Sequence, residues 1–150
     1  MKIYLDVCCL CRPFDDQTQD RIRLESNAIL AIIENCKNGK WDLIGSNMID
    51  FEISKIPDED KKEKVNILLS IVNSKIKVNA AIEKRSIELE KLNFYSYDAL
   101  YIACAEHMNS DILLTTDDYL LKKAKQNISA FKVKIENPVI WLMEIIKNEY

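Results

Sequence analysis

Glycine and proline are nearly missing from this chain, with two and three among 150 residues. A β-sandwich needs turn residues at every hairpin, so their scarcity favours helices joined by short loops. No apolar run approaches the ~18–20 residues that a membrane span requires. The amino terminus, MKIYLD, lacks the architecture of a signal peptide, so a cytoplasmic protein without membrane contact is expected. There is no internal repeat, low-complexity tract or linker-like stretch, which predicts one domain spanning residues 1–150. Positive charge is not in excess either: Lys and Arg number 21 against 24 Asp and Glu, a net charge of −3. A protein that grips nucleic acid by charge alone normally carries a surplus of Lys and Arg. That objection lapses if the negative charge is gathered at a metal site, where bound divalent ions reverse the local field.

Histidine occurs once, as His107, and cysteine five times, as Cys8, Cys9, Cys11, Cys36 and Cys104. Without a secretion signal, reduced thiols are expected. The Cys8-x-x-Cys11 spacing opens a zinc or redox reading. A structural zinc site takes four ligands, however, and there is no second such pair. Small, buried, apolar roles suit these cysteines better.

What remains is 48% hydrophobic and 30% charged, as in a soluble globular protein, and it alternates between two kinds of segment. KIYLD reads as a buried strand and CLCRPFDDQ as a turn-like connection. From Asp20 to Asn38, Ile22, Ile29, Ile32 and Ile33 recur at helical spacing, and Gly39 ends the helix. WDLIGS is a second strand. SNMIDFEISKI is a helix with Ile49, Ile53 and Ile56 on one face, closed by Pro57. DEDKKEKVNILLSIVNS is a helix, KIKVN a strand and AAIEKRSIELEKLN another helix. SYDALYIACAEHM is a buried helix, DILLTTD a strand, DYLLKKAKQN a helix with a basic end, FKVKI a last strand and PVIWLMEIIKN a last helix. Strands alternating with helices predict an α/β fold: a three-layer α/β/α arrangement around a mostly parallel sheet of four or five strands.

Open parallel sheets place their sites beyond the carboxyl ends of the strands. Asp6 follows KIYL and Asp117 follows DILLTT. Glu52 borders an apolar helical stripe, and Asp98 lies in the opening turn of the most apolar helix. Each has an ordinary explanation. Asp6 and Asp117 fit helix N-caps, which contribute about 1 kcal/mol each. Asp98 fits dipole compensation, and Glu52 a solvated edge. If the four converge, repulsion in a partly desolvated pocket raises their pKa values, and a hard cation such as Mg²⁺ or Mn²⁺ is the natural compensation. Ions held by carboxylates are suited to phosphodiester hydrolysis.

At these residues the chain resembles the PIN-domain family of VapC-like ribonucleases. KIYLD followed by RPF resembles the family's first strand and first acid, and SNMIDFEISKI its helix with the second acid. YDALYIACAEHMNSDILLTTDDYL resembles its Asp-Ala-x-x-x-Ala helix and the following strand that ends in Thr-x-Asp. With the terminal FKVKIENPVIWLMEI, the likeness spans nearly the whole chain. It implies a PIN-like fold and a Mg²⁺- or Mn²⁺-dependent endoribonuclease acting on single-stranded RNA and leaving 5′-phosphate and 3′-hydroxyl ends. It also implies the toxin half of a toxin–antitoxin pair, with an antitoxin partner and a homodimer. The implied catalytic acids are Asp6, Glu52, Asp98 and Asp117, with Asp6, Asp98 and Asp117 holding metal. Asp118 would assist or replace Asp117, and Thr115 or, better placed beside Asp117, Thr116 would offer a hydroxyl. Where the family usually carries a hydroxyl residue and then a small polar one after its first acid, this chain has Val7 and Cys8.

Arg12 follows the first strand closely enough to reach a substrate phosphate, and equally to pair with Asp15 or Asp16. Lys122, Lys123 and Lys125 fit dipole compensation at a helix end as readily as RNA contact. Apolar residues such as Ile29 and Ile33, if exposed, would suit a dimer. Two alternatives stand beside the nuclease: a catalytically weakened binding module for RNA or protein on the same fold, marked by Val7 and Cys8, and a thioredoxin-like thiol protein using Cys8 and Cys11. A receiver-type phosphoacceptor would need an order of acids and lysine that is absent.

Overall fold

Ile3, Tyr4 and Leu5 are all buried, the signature of a parallel strand covered on both faces. In the computed structural model, which describes residues 1–149, this strand, β1 (Lys2–Leu5), is the middle of a sheet of five. Its neighbours are β2 (Asp42–Ser46), with Ile3 opposite Leu43, and β4 (Ile112–Leu114), with Ile3 opposite Ile112. Outside them run β3 (Ser74–Ile76) and β5 (Lys134–Glu136). All pairings are parallel, in the order β3-β2-β1-β4-β5. The edge strands carry exposed Lys75 and Lys134, charges that discourage further pairing.

The flanking helices are α1 (Val7–Cys11), α2 (Asp20–Lys37), α3 (Asn47–Ser54), α4 (Glu59–Leu69), α5 (Ala80–Glu90), α6 (Ser96–His107), α7 (Asp118–Gln126) and α8 (Pro138–Asn148). Most begin on a side chain that accepts from the free N–H groups of the first turn: Ser46 for α3, Asp58 for α4, Asn79 for α5 and Asn137 for α8. At the far end of α2, Gly39 turns the chain out with φ of +80°, which a residue with a Cβ adopts only at a cost. No helix among the described residues is long and apolar enough to cross a membrane.

Two details differ from expectation. CLCRPFDDQ is not simply a turn: Val7–Cys11 form a helix, and Arg12–Phe14 a 3₁₀ turn. Asp6 nucleates it by capping Cys9 N–H, and Cys9 and Leu10 are buried; a five-residue helix is too short to show a period. Ile29 and Ile33 are buried against the core and do not form a free surface. The exposed apolar residues of α2 are Leu24 and Leu30.

After β1 the chain moves one way, to β2 and β3, and later returns on the opposite side as β4 and β5. The reversal lies between β1 and β4. At such a point the connections leaving neighbouring strands part, opening a crevice at their carboxyl ends.

Candidate active site

Asp6 and Asp117 stand on the two lips of that crevice. Asp6 is 2% exposed. Its backbone N–H donates to the Leu114 carbonyl at 3.2 Å, stitching β1 to β4, while its Oδ1 accepts from Cys9 N–H at 2.9 Å. Burial pushes its carboxyl up to about 6, against hydrogen bonds from Thr115 and Cys9, and the charge of Glu52 adds to the rise. Asp117 ends the β4 connection. Its Oδ1 caps α7 by accepting from Tyr119 N–H (2.8 Å) and Leu120 N–H (3.2 Å), and its own N–H donates to Thr115 Oγ1 at 3.1 Å. The ordinary capping role thus holds for both residues, and in each it also fixes the carboxylate's position.

The other two acids arrive on helices. Asp98, in the first turn of α6, is half-buried. Its carboxyl is pushed up to about 7, by burial first and then by the charges of Asp117, Asp6 and Glu52, with no hydrogen bond to offset them. Glu52 of α3 accepts a short hydrogen bond from the Tyr101 hydroxyl. Tyr101 lies three residues beyond Asp98, hence on the same face of α6. Burial, and then the bond to Glu52, hold its hydroxyl protonated. Tyr101 was not among the residues expected from the sequence; its one signal there is a hydroxyl within an apolar helix.

Cys8 lies among these four. Its thiol is exposed, yet it is driven well above the ordinary thiol range by Asp6 first, then by desolvation, Asp117, Glu52 and Asp98. Four carboxylates from separate segments therefore act on one sulfur atom. The same observation weakens the redox alternative. Cys9 and Cys11 are raised as well, mainly by burial, the opposite of a stabilised thiolate.

Three other expected residues are placed differently. Asp118 is exposed and held by Arg21 through two contacts of 2.8 Å; it points outward and does not stand in for Asp117. Thr115, not Thr116, supplies the hydroxyl between Asp6 and Asp117, because successive residues of an extended segment face opposite sides. Thr116 contributes its carbonyl, which accepts from Arg21 at 3.1 Å. Arg12 is committed to Glu25 at 2.9 Å, with Asp15 at 3.4 Å, and is not free for a phosphate. Its partner Glu25 is buried and also accepts from Arg21 and Asn137. Lys122 and Lys125 line a groove of about 680 Å³ together with Leu24, Arg21, Glu136 and Ile140, none of them one of the four acids.

The donor chemistry suits a divalent cation: carboxylate oxygens are hard ligands, and Asp6 and Asp98 bear a repulsion that positive charge relieves. Among the described residues, no three His, Cys, Asp or Glu side chains are grouped closely enough to hold an ion as they stand. The set fits in kind, and its spacing is open.

No protein-family model matches the sequence, and no curated protein matches it. Solved structures do. A chain of VapBC2 from Rickettsia felis, solved bound to a DNA fragment from the promoter, superposes with a TM-score of 0.56 at 19% identity, covering 91% of this chain and 98% of that one. A chain of VapBC-1 from nontypeable Haemophilus influenzae gives a TM-score of 0.56 at 14% identity, covering 92% and 98%. At such identities the likeness is one of backbone architecture. Taken with the parallel five-stranded sheet and its flanking helices, it establishes that this chain has a PIN-like fold.

Proposed function

We propose that the chain is a metal-dependent endoribonuclease that hydrolyses phosphodiester bonds of single-stranded RNA, with Mg²⁺ or Mn²⁺ held by Asp6, Asp98 and Asp117 and assisted by Glu52. The observation that carries this reading is the elevation of Asp98 to about 7 and of Asp6 to about 6, by burial first, with Asp117, Asp6 and Glu52 adding to Asp98 and Glu52 to Asp6. Like charges held together in a half-desolvated crevice are costly unless a cation visits them. When bound, such an ion lowers the pKa of an attacking water and neutralises charge on the phosphate.

The chain's own groups prepare that chemistry. Cys9 N–H and the Thr115 hydroxyl hold Asp6. The first turn of α7 holds Asp117, and Tyr101 orients Glu52. Asp98 is left unencumbered, the freest of the four to accept an incoming ion. Cleavage in this reading leaves 5′-phosphate and 3′-hydroxyl ends.

The likeness to chains of VapBC assemblies supports a further element of the proposal: this is the toxin member of a toxin–antitoxin pair, an antitoxin protein is its partner, and it acts in the cytoplasm as a homodimer and a single domain. A second reading, a binding module of reduced catalytic power, is favoured by the open spacing of the acids and by Val7 and Cys8. One assay separates the two. Cleavage of a labelled unstructured RNA is followed with Mn²⁺, with Mg²⁺ and with chelator, using Asp6→Asn and Asp98→Asn as controls. Metal-dependent cutting that disappears in both variants is expected; cutting retained in both removes the mechanism.

A further inference from the structure

The helices that carry Glu52 and Asp98 also carry aromatic rings that the core does not use. Phe51 is 46% exposed, Tyr95 62% and Tyr97 38%. Each is a near neighbour in sequence of one of the acids: Phe51 precedes Glu52, and Tyr95 and Tyr97 lie just before Asp98. Tyr95 is stacked on Tyr119 of α7, with ring centroids 4.6 Å apart and planes 27° from parallel. With one face on Tyr119 and most of its surface exposed, Tyr95 presents its other face to solvent. Phe51 and Tyr97 meet edge to face at 6.4 Å.

The nearby positive charges sit on these rings. Lys55 Nζ lies 4.3 Å from the Phe51 centroid and 3.2 Å from the Tyr97 hydroxyl oxygen. Lys123 Nζ lies 5.7 Å from the Tyr119 centroid. Neither lysine forms an ion pair with a carboxylate among the described residues, so both ammonium groups are available to an anion. Two pairs of aromatic rings, one stacked and one edge to face, each with an unpaired lysine over one member, match what an unpaired nucleic acid strand offers: a flat base and a phosphate at every step. A double helix, with its bases already stacked inside, has no face to give.

We propose that Tyr95, stacked on Tyr119, and Tyr97 with its edge partner Phe51 are platforms for unpaired bases of single-stranded RNA, with Lys55 and Lys123 taking the adjoining phosphates. The proposal rests on the nuclease reading for the direction of the strand across the acids, and it adds the groups that select a strand with free bases. It also explains how a chain of net charge −3 holds a polyanion: part of the affinity comes from stacking, which salt does not screen.

The test is binding without cleavage, in chelator, by fluorescence anisotropy. The ligands are a labelled oligoadenylate and an abasic strand of the same length. The unaltered chain is expected to prefer the oligoadenylate. Tyr95→Ala and the double variant Phe51→Ala/Tyr97→Ala should each weaken that binding about 5- to 100-fold and leave the abasic strand unaffected. Tyr95→Trp should retain binding, and its new indole should be quenched by the oligoadenylate, since Trp41 and Trp141 are buried. Equal affinity of the wild-type chain for both strands, or unchanged oligoadenylate binding in the alanine variants, overturns the proposal; the rings would then be free for a protein partner. Base-dependent binding without metal-dependent cutting would sink the nuclease reading and keep the platforms. Cutting that is indifferent to the alanine variants would do the reverse.

Discussion

Asp98 gives the sharpest handle on single residues. Its carboxyl titrates near 7 in the folded chain, against about 3.9 when unfolded. A carboxyl raised by folding contributes stability that is fully present below its unfolded pKa and lost as pH climbs through its folded one. Between about pH 4 and pH 7 the metal-free protein therefore gives up stability at this position. Asp98→Asn, which cannot ionise, should be more stable than the parent at neutral pH by on the order of 2 kcal/mol, after a discount for solvent at a half-exposed carboxyl. The gap should close toward pH 4. Parallel urea titrations of both proteins in chelator measure it, and a gap independent of pH would show that neither burial nor the neighbouring acids raise Asp98. Residue identity also bounded what the sequence revealed. The caps formed by Asp6 and Asp117 were legible because strand ends that lead into helices are where a carboxylate meets free N–H groups. The directions of Arg12, Thr116 and Asp118 were not, because each depends on a partner distant in sequence: Glu25 for Arg12, Arg21 for the other two.

Among the elements, long periodic segments were readable and short ones were not. The helix from Asp20 was legible because its isoleucines repeat over about three turns, whereas α1 is little more than one turn and owes its existence to one cap. The last strand begins nearer Lys134 than Phe131, since pairing with β4, rather than composition, decides where an edge strand starts. The network at Glu25 was hidden for a similar reason. It ties the 3₁₀ turn through Arg12, α8 through Asn137, and, by way of Arg21, the Thr116 carbonyl that leads into α7. Removing it leaves buried or half-buried donors without an acceptor. Glu25→Ala should cost about 3 kcal/mol in chemical denaturation, and a loss under about 1 kcal/mol would mean that water replaces the carboxylate freely.

For the molecule as a whole, topology does most of the work. A sheet that grows outward in both directions from β1 brings two strand ends together, and the helices that cover it deliver Glu52 and Asp98 to the same edge. This is why the architecture superposes on chains only 14–19% identical: a reversal in strand order survives extensive change in the side chains that line it. The exposed aromatic rings, in contrast, lie on helices and outside the sheet.

Cys8 turns the crevice into its own reporter. It is the exposed thiol of five; Cys9, Cys36 and Cys104 are buried and Cys11 is partly so. Alkylation needs the thiolate, which the surrounding carboxylates suppress. Iodoacetamide should therefore modify Cys8 slowly in chelator and faster once Mg²⁺ neutralises its neighbours, with the adduct located by mass spectrometry. A labelling rate indifferent to Mg²⁺ would mean that the ion settles elsewhere. Occupancy of the crevice could thus be read chemically, before any RNA is cut.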